Sequence, residues 1–398
     1  MSDSVLIVAA RRTPIGAFLG ALAPISAPQL GAAACHAALA DAHLAPEEIE
    51  EVILGCVLSA GLGQAPARQA AVAAGIPSNV PATTVNKMCG SGLKTVMMAA
   101  DQLRTGDIGI ALAGGLESMS NAPYLLPKAR AGLRMGHAHL LDHMLHDGLE
   151  SPFDGQLMGC FADVTARRYD FTRAAQDAYA AESVTRALRA LRAGDFAAET
   201  TPVTVKSRKG ETLVERDETP ETCDLSRISS LKPAFAKDGT VTAASSSSIS
   251  DGAAAVIVAS AQAARRRGLE PLARIVGYAS HAQEPEWFTT APVGAIRKLL
   301  AKLGWAAHHV DLYEINEAFA TVAMAALQDL ELDPARVNVN GGACALGHPI
   351  GATGARILVT LVHALRRRLA AGARGPLRGI AALCIGGGEA VALAIETV

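Results

Sequence analysis

Two stretches far apart in this chain follow one pattern. The earlier begins at Pro28-Gln29-Leu30-Gly31, runs as an amphipathic helix to Leu39, turns through Glu48-Ile49-Glu50-Glu51 and enters the apolar run Val52-Ile53-Leu54. The later begins at Pro292-Val293-Gly294-Ala295, runs to Leu303, turns at His309-Val310-Asp311 and enters Leu312-Tyr313-Glu314-Ile315. A glycine-rich turn and a long helix follow each: Cys89-Gly90-Ser91-Gly92 leading to Leu103, and Gly351-Ala352-Thr353-Gly354 leading to Leu369. Each half ends in a strand and a glycine cluster, Gly114-Gly115 and Gly386-Gly387-Gly388. Such a chain is expected to fold as two similar halves about a pseudo-twofold axis. Strands separated by helices make the class α/β and imply a mainly parallel sheet with helices on both faces.

The repeat sets the domain boundaries. Residues 1–119 with 249–271 form the first half, 272–398 the second, and 120–248 a mixed insertion of the kind that builds substrate sites. The chain rejoins the first half at the strand-like run Ala253–Ala259, while Thr240-Val241-Thr242 also reads as a strand. Within the first half, residues 5–9 and Ile108–Ala113 read as strands, and Gly106 is placed to stop the helix that carries Leu93, Val96, Met97, Ala100 and Leu103 on one face.

Composition narrows the class. Half of the 398 residues are hydrophobic but only 4% aromatic, which suits helices packed closely on a buried sheet. The net charge of −2 comes with no basic stripe, so nucleic acid is not an expected partner. No apolar run reaches the ~20 residues of a bilayer span. Arg11-Arg12 follow the first apolar stretch, whereas a signal peptide carries its charges before it. Seven cysteines without a C-x-x-C pair point to free thiols in a reducing compartment, the cytoplasm by default.

Five segments can carry chemistry. In Val85-Asn86-Lys87-Met88-Cys89-Gly90-Ser91-Gly92 a strand turns into a helix, so Cys89 stands beside a helix N-terminus that favours a thiolate and a lowered thiol pKa. It can equally be a small apolar residue at a tight junction. In Gly341–Gly351, His348 lies in a glycine-dense turn stiffened by Pro349, away from any apolar helix face. It is therefore expected to work as a base or a donor rather than as a core histidine, with Cys344 as packing. Leu383-Cys384-Ile385-Gly386-Gly387-Gly388 delivers a thiol to a turn whose amides can meet a developing oxyanion. Asn316 can hold a water or donate to a carbonyl, or else cap the following helix. The run Ala243–Gly252, with Ser245 to Ser248, is either a linker or a loop gripping a thin polar ligand tail.

Together these segments resemble the thiolases, from Arg12-Thr13-Pro14-Ile15-Gly16 to the last strand. The motifs are N-x-x-C-G-S-G, G-G-x-E-S-M-S at 114–120, N-E-A-F-A at 316–320, G-H-P-x-G at 347–351 and C-x-G-G-G at 384–388, in the family's order. The resemblance implies duplicated βαβαβαββ halves in a layered α-β-α-β-α body, with the insertion as a loop domain that binds coenzyme A. It implies that Cys89 carries the acyl group and that His348 activates Cys89. His348, with a water held by Asn316, would stabilise an enolate oxygen. Cys384 would shuttle the α-proton, and the amides of Cys89 and Gly386 would form a second oxyanion hole. Ser247, Met158, Phe235, Ala243, Ala318 and Phe319 would line the coenzyme A and acyl pocket. The implied activity is reversible condensation and thiolysis of 3-ketoacyl-CoA, first of all acetyl-CoA C-acetyltransferase. A broader 3-ketoacyl-CoA thiolase of fatty-acid or aromatic degradation is the alternative. Acyl-CoA and coenzyme A are substrates, no cofactor or metal is implied, and a dimer of dimers is the implied assembly in lipid metabolism.

The chain departs from short-chain biosynthetic members at Leu157 (often His), Phe288 (often Met) and Ser245 (often Asn). The basic residue expected near the coenzyme's nucleotide is not evident around Pro220, although Lys206, Arg208 and Lys209 lie upstream. The cluster His137, His139, His143 and His146 has helical ligand spacing in part, but reads as a polar surface. Three rivals fit less well. A ketoacyl synthase would show Cys-His-His, a non-catalytic acyl- or lipid-binding relative would lack a reacting group, and a dehydrogenase would need G-x-G-x-x-G after its first strand.

Overall fold

The computed structural model describes residues 4–208 and 210–398; Lys209 lies outside the described residues. A ten-stranded sheet forms two flanks, nine strands in line and the short strand Gly16–Ala17 paired beside Ser250–Ser260. One flank runs Ala82–Val85, Glu51–Gly55, Ile110–Ser118, Ser250–Ser260, Val5–Arg12, and the other Ala273–Ala282, Glu389–Thr397, Arg378–Ile385, Leu312–Ile315. They meet where Val5–Ile7 pairs antiparallel with Ala273–Ile275. Helices Ser91–Thr105 and Ile350–Ala370 pack between the flanks in one apolar core. Helices Ala27–Asp41 and Pro66–Ala73 cover the first flank outside, and Ala291–Leu303 with Ala320–Asp329 the second. The succession is helix, sheet, helix, sheet, helix, as the repeat and the resemblance imply.

The sheet is not mainly parallel. Only Glu51–Gly55 with its two neighbours, and Leu312–Ile315 with Arg378–Ile385, pair parallel. The other main pairings are antiparallel. The helical crossovers visible in the sequence give the parallel pairs. The glycine cluster at 386–388 instead turns a strand straight back, and no crossover is needed for an antiparallel partner. Two finer expectations also shift. Thr240–Thr242 forms only an isolated bridge, Pro233 to Thr242, and the strand expected from Ile108 begins at Ile110.

Close approach of the central helices explains the small-residue composition. A methyl group at Gly354 would stand 2.3 Å from the Leu93 nitrogen, one at Gly92 2.7 Å from the Ala355 nitrogen, and one at Gly115 2.0 Å from the Gly351 oxygen. Every residue from Ile350 to Leu365 is buried. A side chain at any of these crossings would push the helices apart and lose contacts on both sides.

The inserted region packs helices Met158–Arg168 and Arg173–Ala193 against one end of this body. Its anchor is Arg12, fully buried, whose Nε donates to Glu199 at 2.6 Å and whose two terminal nitrogens donate to Asp217 at 2.7 and 2.8 Å. The guanidinium fork is satisfied on both sides, which a buried charge requires.

Candidate active site

The Cys89 turn is a tight elbow. Met88 adopts φ 48°, a left-handed conformation that costs a non-glycine residue about 1–2 kcal/mol. The turn is held by Met88 N donating to Asn86 Oδ1 at 2.9 Å, Lys87 N to Ser91 Oγ at 2.8 Å, and Ser91 Oγ to the Met88 carbonyl at 2.7 Å. Gly90 has a steric reason: a methyl there would stand 2.4 Å from Ile385 Cδ1. The end of strand Arg378–Ile385 can thus press against the elbow, bringing Cys384 and Gly386 to Cys89. The amides of Gly386 and of Cys89 itself favour the thiolate form of the Cys89 sulfur, and the Cys384 thiol lies within electrostatic range.

The expected lowering of the Cys89 pKa does not occur. Burial pushes the thiol up to about 11, outweighing the two amides, and Glu117 adds to the rise. The helix begins at Ser91, two residues past the sulfur. Cys89 therefore rests as a thiol and needs a base. Burial, with the charge of Cys89 second, also drives Cys384 far above its ordinary value, so it too holds its proton.

His348 is buried, against the sequence expectation, yet it lines a cavity. Its turn is tied from several sides. His348 N donates to the Ser248 carbonyl at 3.1 Å, and Nδ1 lies 2.6 Å from Thr353 Oγ1. Burial, with Arg356 as a smaller influence, pushes the imidazole down to about 3, so it is neutral. Nε2 is buried and has no hydrogen-bond partner among the described residues. Both polar atoms of the Asn316 side chain are likewise buried and unpartnered. Asn316 does not cap the next helix, which starts at Ala320 behind Phe319. Three buried polar atoms left without partners are what a bound oxygen or water would satisfy.

The cavity has a volume of about 390 Å³, and Ser247, Met158, Phe235, Ala243 and Phe319 all line it beside His348. Ala318 contributes from behind, its carbonyl accepting from Ser247 N at 3.0 Å. Met158, Phe235 and Phe319 also pack around Cys384, together with Phe161 and Phe288, so the cavity and the second thiol share one wall. Phe288 meets Phe161 and Phe319 edge-on at 6.1 and 6.4 Å.

Sequence reasoning assigned no role to three residues of the site. Glu117 is fully buried and accepts from Val57 N and Leu58 N at 3.1 Å each and from Gly351 N at 2.8 Å, tying the first half to the turn that carries His348. Burial raises its carboxyl to about 7. Glu317 accepts from Tyr179, Ser183, Asn338 and the Cys344 amide, and so fixes the loops on both sides of Asn316. Thr353 is the third. The signal for Glu117 was a lone acidic residue inside an apolar strand end, where a charge has to be paired, and for Glu317 an acid between Asn316 and an apolar run just past a strand. The histidine cluster divides otherwise. His143 pairs with Asp147 at 2.5 Å, and His139 lies before the short strand Leu141–Asp142, off any helix shared with His143. Lys206 sits on an exposed hairpin, 3.1 Å from Glu211.

Comparison with known proteins adds an independent line. The family model for the thiolase N-terminal domain matches residues 5–262, and that for the thiolase C-terminal domain matches 269–397. Among curated proteins, the chain is 51% identical over 395 residues to acetyl-CoA acetyltransferase of Pseudomonas aeruginosa, covering 99% of each. It is 50% identical over 398 residues to that of Cupriavidus necator, covering all of both, and 48% identical to the cytosolic mouse enzyme over 99% of this chain and 98% of the other. Among solved structures, the Acat5 thiolase of Ascaris suum in complex with coenzyme A superposes with a TM-score of 0.93 at 42% identity, covering all of both chains.

Proposed function

The chain belongs to the thiolase family, and from that premise we propose that it is an acetyl-CoA C-acetyltransferase, joining two acetyl-CoA into acetoacetyl-CoA and coenzyme A and catalysing the reverse. The observation that carries this reading is the set of groups around Cys89. Two amides favour its thiolate, a second protonated thiol lies within its electrostatic range, and a neutral imidazole with a bare Nε2 lines the cavity whose wall packs that second thiol.

In thiolysis, His348 Nε2 takes the Cys89 proton and the thiolate adds to the 3-keto carbon of acetoacetyl-CoA. The new oxyanion is held by the amides of Cys89 and Gly386. When the carbon–carbon bond breaks, its electron pair becomes the enolate of acetyl-CoA, whose oxygen is held by His348 and a water on Asn316. Cys384, kept protonated by burial, gives its proton to the enolate carbon. The resulting thiolate takes the proton of an incoming coenzyme A, which attacks the acetyl-Cys89 thioester and frees Cys89 as a thiolate that recovers its proton from His348. Condensation runs the same steps backwards. Two thiols and an imidazole move every proton, backbone amides and a water held by an amide side chain meet the charge, and coenzyme A enters as a substrate rather than a cofactor.

The small acetyl group is favoured over longer acyl groups by the ring wall of Phe161, Phe288 and Phe319 around Cys384. The pantetheine arm would run past Ser247, Ala243 and Met158. Among the described residues no helix is long and apolar enough to cross a membrane, and all seven cysteines are free, which supports a cytoplasmic setting in acetyl-unit and lipid metabolism. A homotetramer, as a dimer of dimers, is supported by the segment between Tyr124–Leu125 and Leu141–Asp142, which leaves Met135 almost wholly exposed and Leu133 and Leu140 about half exposed.

Cys89→Ala should abolish thiolysis of acetoacetyl-CoA while thermal unfolding stays near wild type; normal turnover by the folded variant would remove Cys89 from its role. Cys384→Ser should retain acetyl-enzyme formation from labelled acetyl-CoA far better than carbon–carbon exchange. Equal loss of both would contradict the division of labour.

A further inference from the structure

We propose that Thr353 is a positioning residue that fixes His348 in the tautomer with its proton on Nδ1, leaving Nε2 as the working base. This rests on the reading of His348 as the base for Cys89. The hydroxyl of Thr353 lies 2.6 Å from Nδ1 and 2.9 Å from the Pro349 carbonyl oxygen, one turn back in the same helix. A hydroxyl has one proton. If it donates to Pro349, its lone pair accepts from Nδ1–H, and Nε2 carries only a lone pair. If it donated to Nδ1 instead, the proton would sit on Nε2. That would leave a buried N–H with no acceptor among the described residues. The Pro349 carbonyl oxygen can only accept, so the hydroxyl proton is directed to it and the first arrangement prevails.

The surroundings keep it so. Thr353 is fully buried, its backbone N donates to the same Pro349 oxygen at 2.9 Å, and Gly351 N in that turn is pinned by Glu117. The ring has no other contact through Nδ1 in the described structure. Its proton-transfer step is then simple. The Sγ–H bond of Cys89 breaks, an Nε2–H bond forms, and Nδ1–H stays on Thr353 Oγ1, where the hydrogen bond strengthens as the ring becomes cationic. Ser250 Oγ, 3.3 Å from His348 N, holds the backbone but cannot select a tautomer.

The test uses the full chain with its histidine ring nitrogens labelled. In the wild type, nitrogen NMR of His348, assigned by its loss in His348→Asn, should show a protonated Nδ1 and a bare Nε2. A protonated Nε2 in the resting protein would overturn the proposal, whatever the substrate proves to be. Thr353→Val keeps the shape of the side chain and removes the acceptor. It should lower kcat about 10- to 100-fold with KM little changed, the range met when an outer hydrogen bond to a working imidazole is lost. Alkylation of Cys89 by iodoacetamide, read peptide by peptide, should slow at neutral pH, and its rise should move to higher pH. Thr353→Ser should restore kcat and the alkylation profile to within about threefold. Wild-type kcat in Thr353→Val, or a serine variant as impaired as the valine one, would overturn the assignment. If Thr353→Val does not fold, the wild-type tautomer and Thr353→Ser still decide. Failure of the thiolase reading would show separately, as wild-type protein with the expected tautomer and no turnover.

Discussion

The Cys89 turn and the His348 turn are the same device from opposite halves of the chain, and they are built to opposite ends. Each leads through glycines into one of the two central helices, and those helices cross at Gly92 and Gly354. From Asn86 to Cys89 every residue keeps some exposure, and Lys87 reaches across to pair with Glu389 at the surface. From Gly341 to Leu365 every residue is buried. On the proposed reading the nucleophile must be reached by two bulky thioesters in turn, which suits a turn at the rim with its strain at Met88. The base must stay neutral and fixed in direction, which the deep core enforces through desolvation and through the ties from Glu117, Thr353 and Ser248. Reactivity is therefore divided: the sulfur that reacts is not self-activated, and the activation is stored in the other half.

If that division is right, removing the base should cost most. His348→Asn keeps a polar side chain of similar bulk but takes no proton, while the Cys89 thiol remains pushed up to about 11. Turnover near neutral pH should fall about a thousandfold, within the range general-base catalysis supplies, and should climb with pH as hydroxide takes over. A variant whose rate is flat with pH, or close to wild type, would mean that Cys89 is activated by its own turn. The next effect tests the crossing that joins the two turns. Gly354→Ala should lower stability by about 3 kcal/mol, since its methyl meets backbone that cannot swing away. Gly106→Ala, at φ 80° with nothing nearby, should cost about 1 kcal/mol from backbone strain alone. Equal losses in chemical denaturation would show that the helices do not need their glycines to meet.

The contrast also explains what could be read from the chain beforehand. The duplication, the central helices and the glycine clusters were legible because periodicity and turn residues are local. Cys89, His348, Cys384 and Asn316 stood out as candidates for a similar reason, each a reactive type set in a turn that ordinary packing does not call for. Strand direction was not legible, because whether Glu389–Thr397 returns antiparallel depends on a hairpin rather than on the spacing of helices. The Cys89 pKa was misjudged for a related reason. The helix N-terminus is a local feature, but the burial that outweighs it comes from packing against clusters whose members lie as far off in sequence as Ile350. Thr353 and the reason for Gly92 were invisible until the halves were packed together.

The smallest effect separates the two turns by pH. His348 has its folded pKa depressed from the ordinary 6.5 to about 3, so its neutral form favours the fold. That contribution is complete above pH 6.5 and is lost as pH falls from there toward 3, about 2 kcal/mol of it by pH 5. Cys89 is displaced the other way, from 9.0 up to about 11, so its contribution is complete below pH 9 and is lost as pH rises toward 11. Glu117, raised from 4.5 to about 7, loses stability as pH rises through that interval, and so opposes His348 over the same range. Wild type alone is therefore ambiguous, and the informative quantity is the difference from His348→Asn. Between pH 7 and pH 5 the wild type should lose about 2 kcal/mol more than this variant in denaturant unfolding, while Cys89→Ala should track wild type there and diverge only above pH 9. An acid limb that persists unchanged in His348→Asn would mean that the imidazole is not held neutral by the core, and the contrast between a reachable sulfur and a sealed base would fail at its second term.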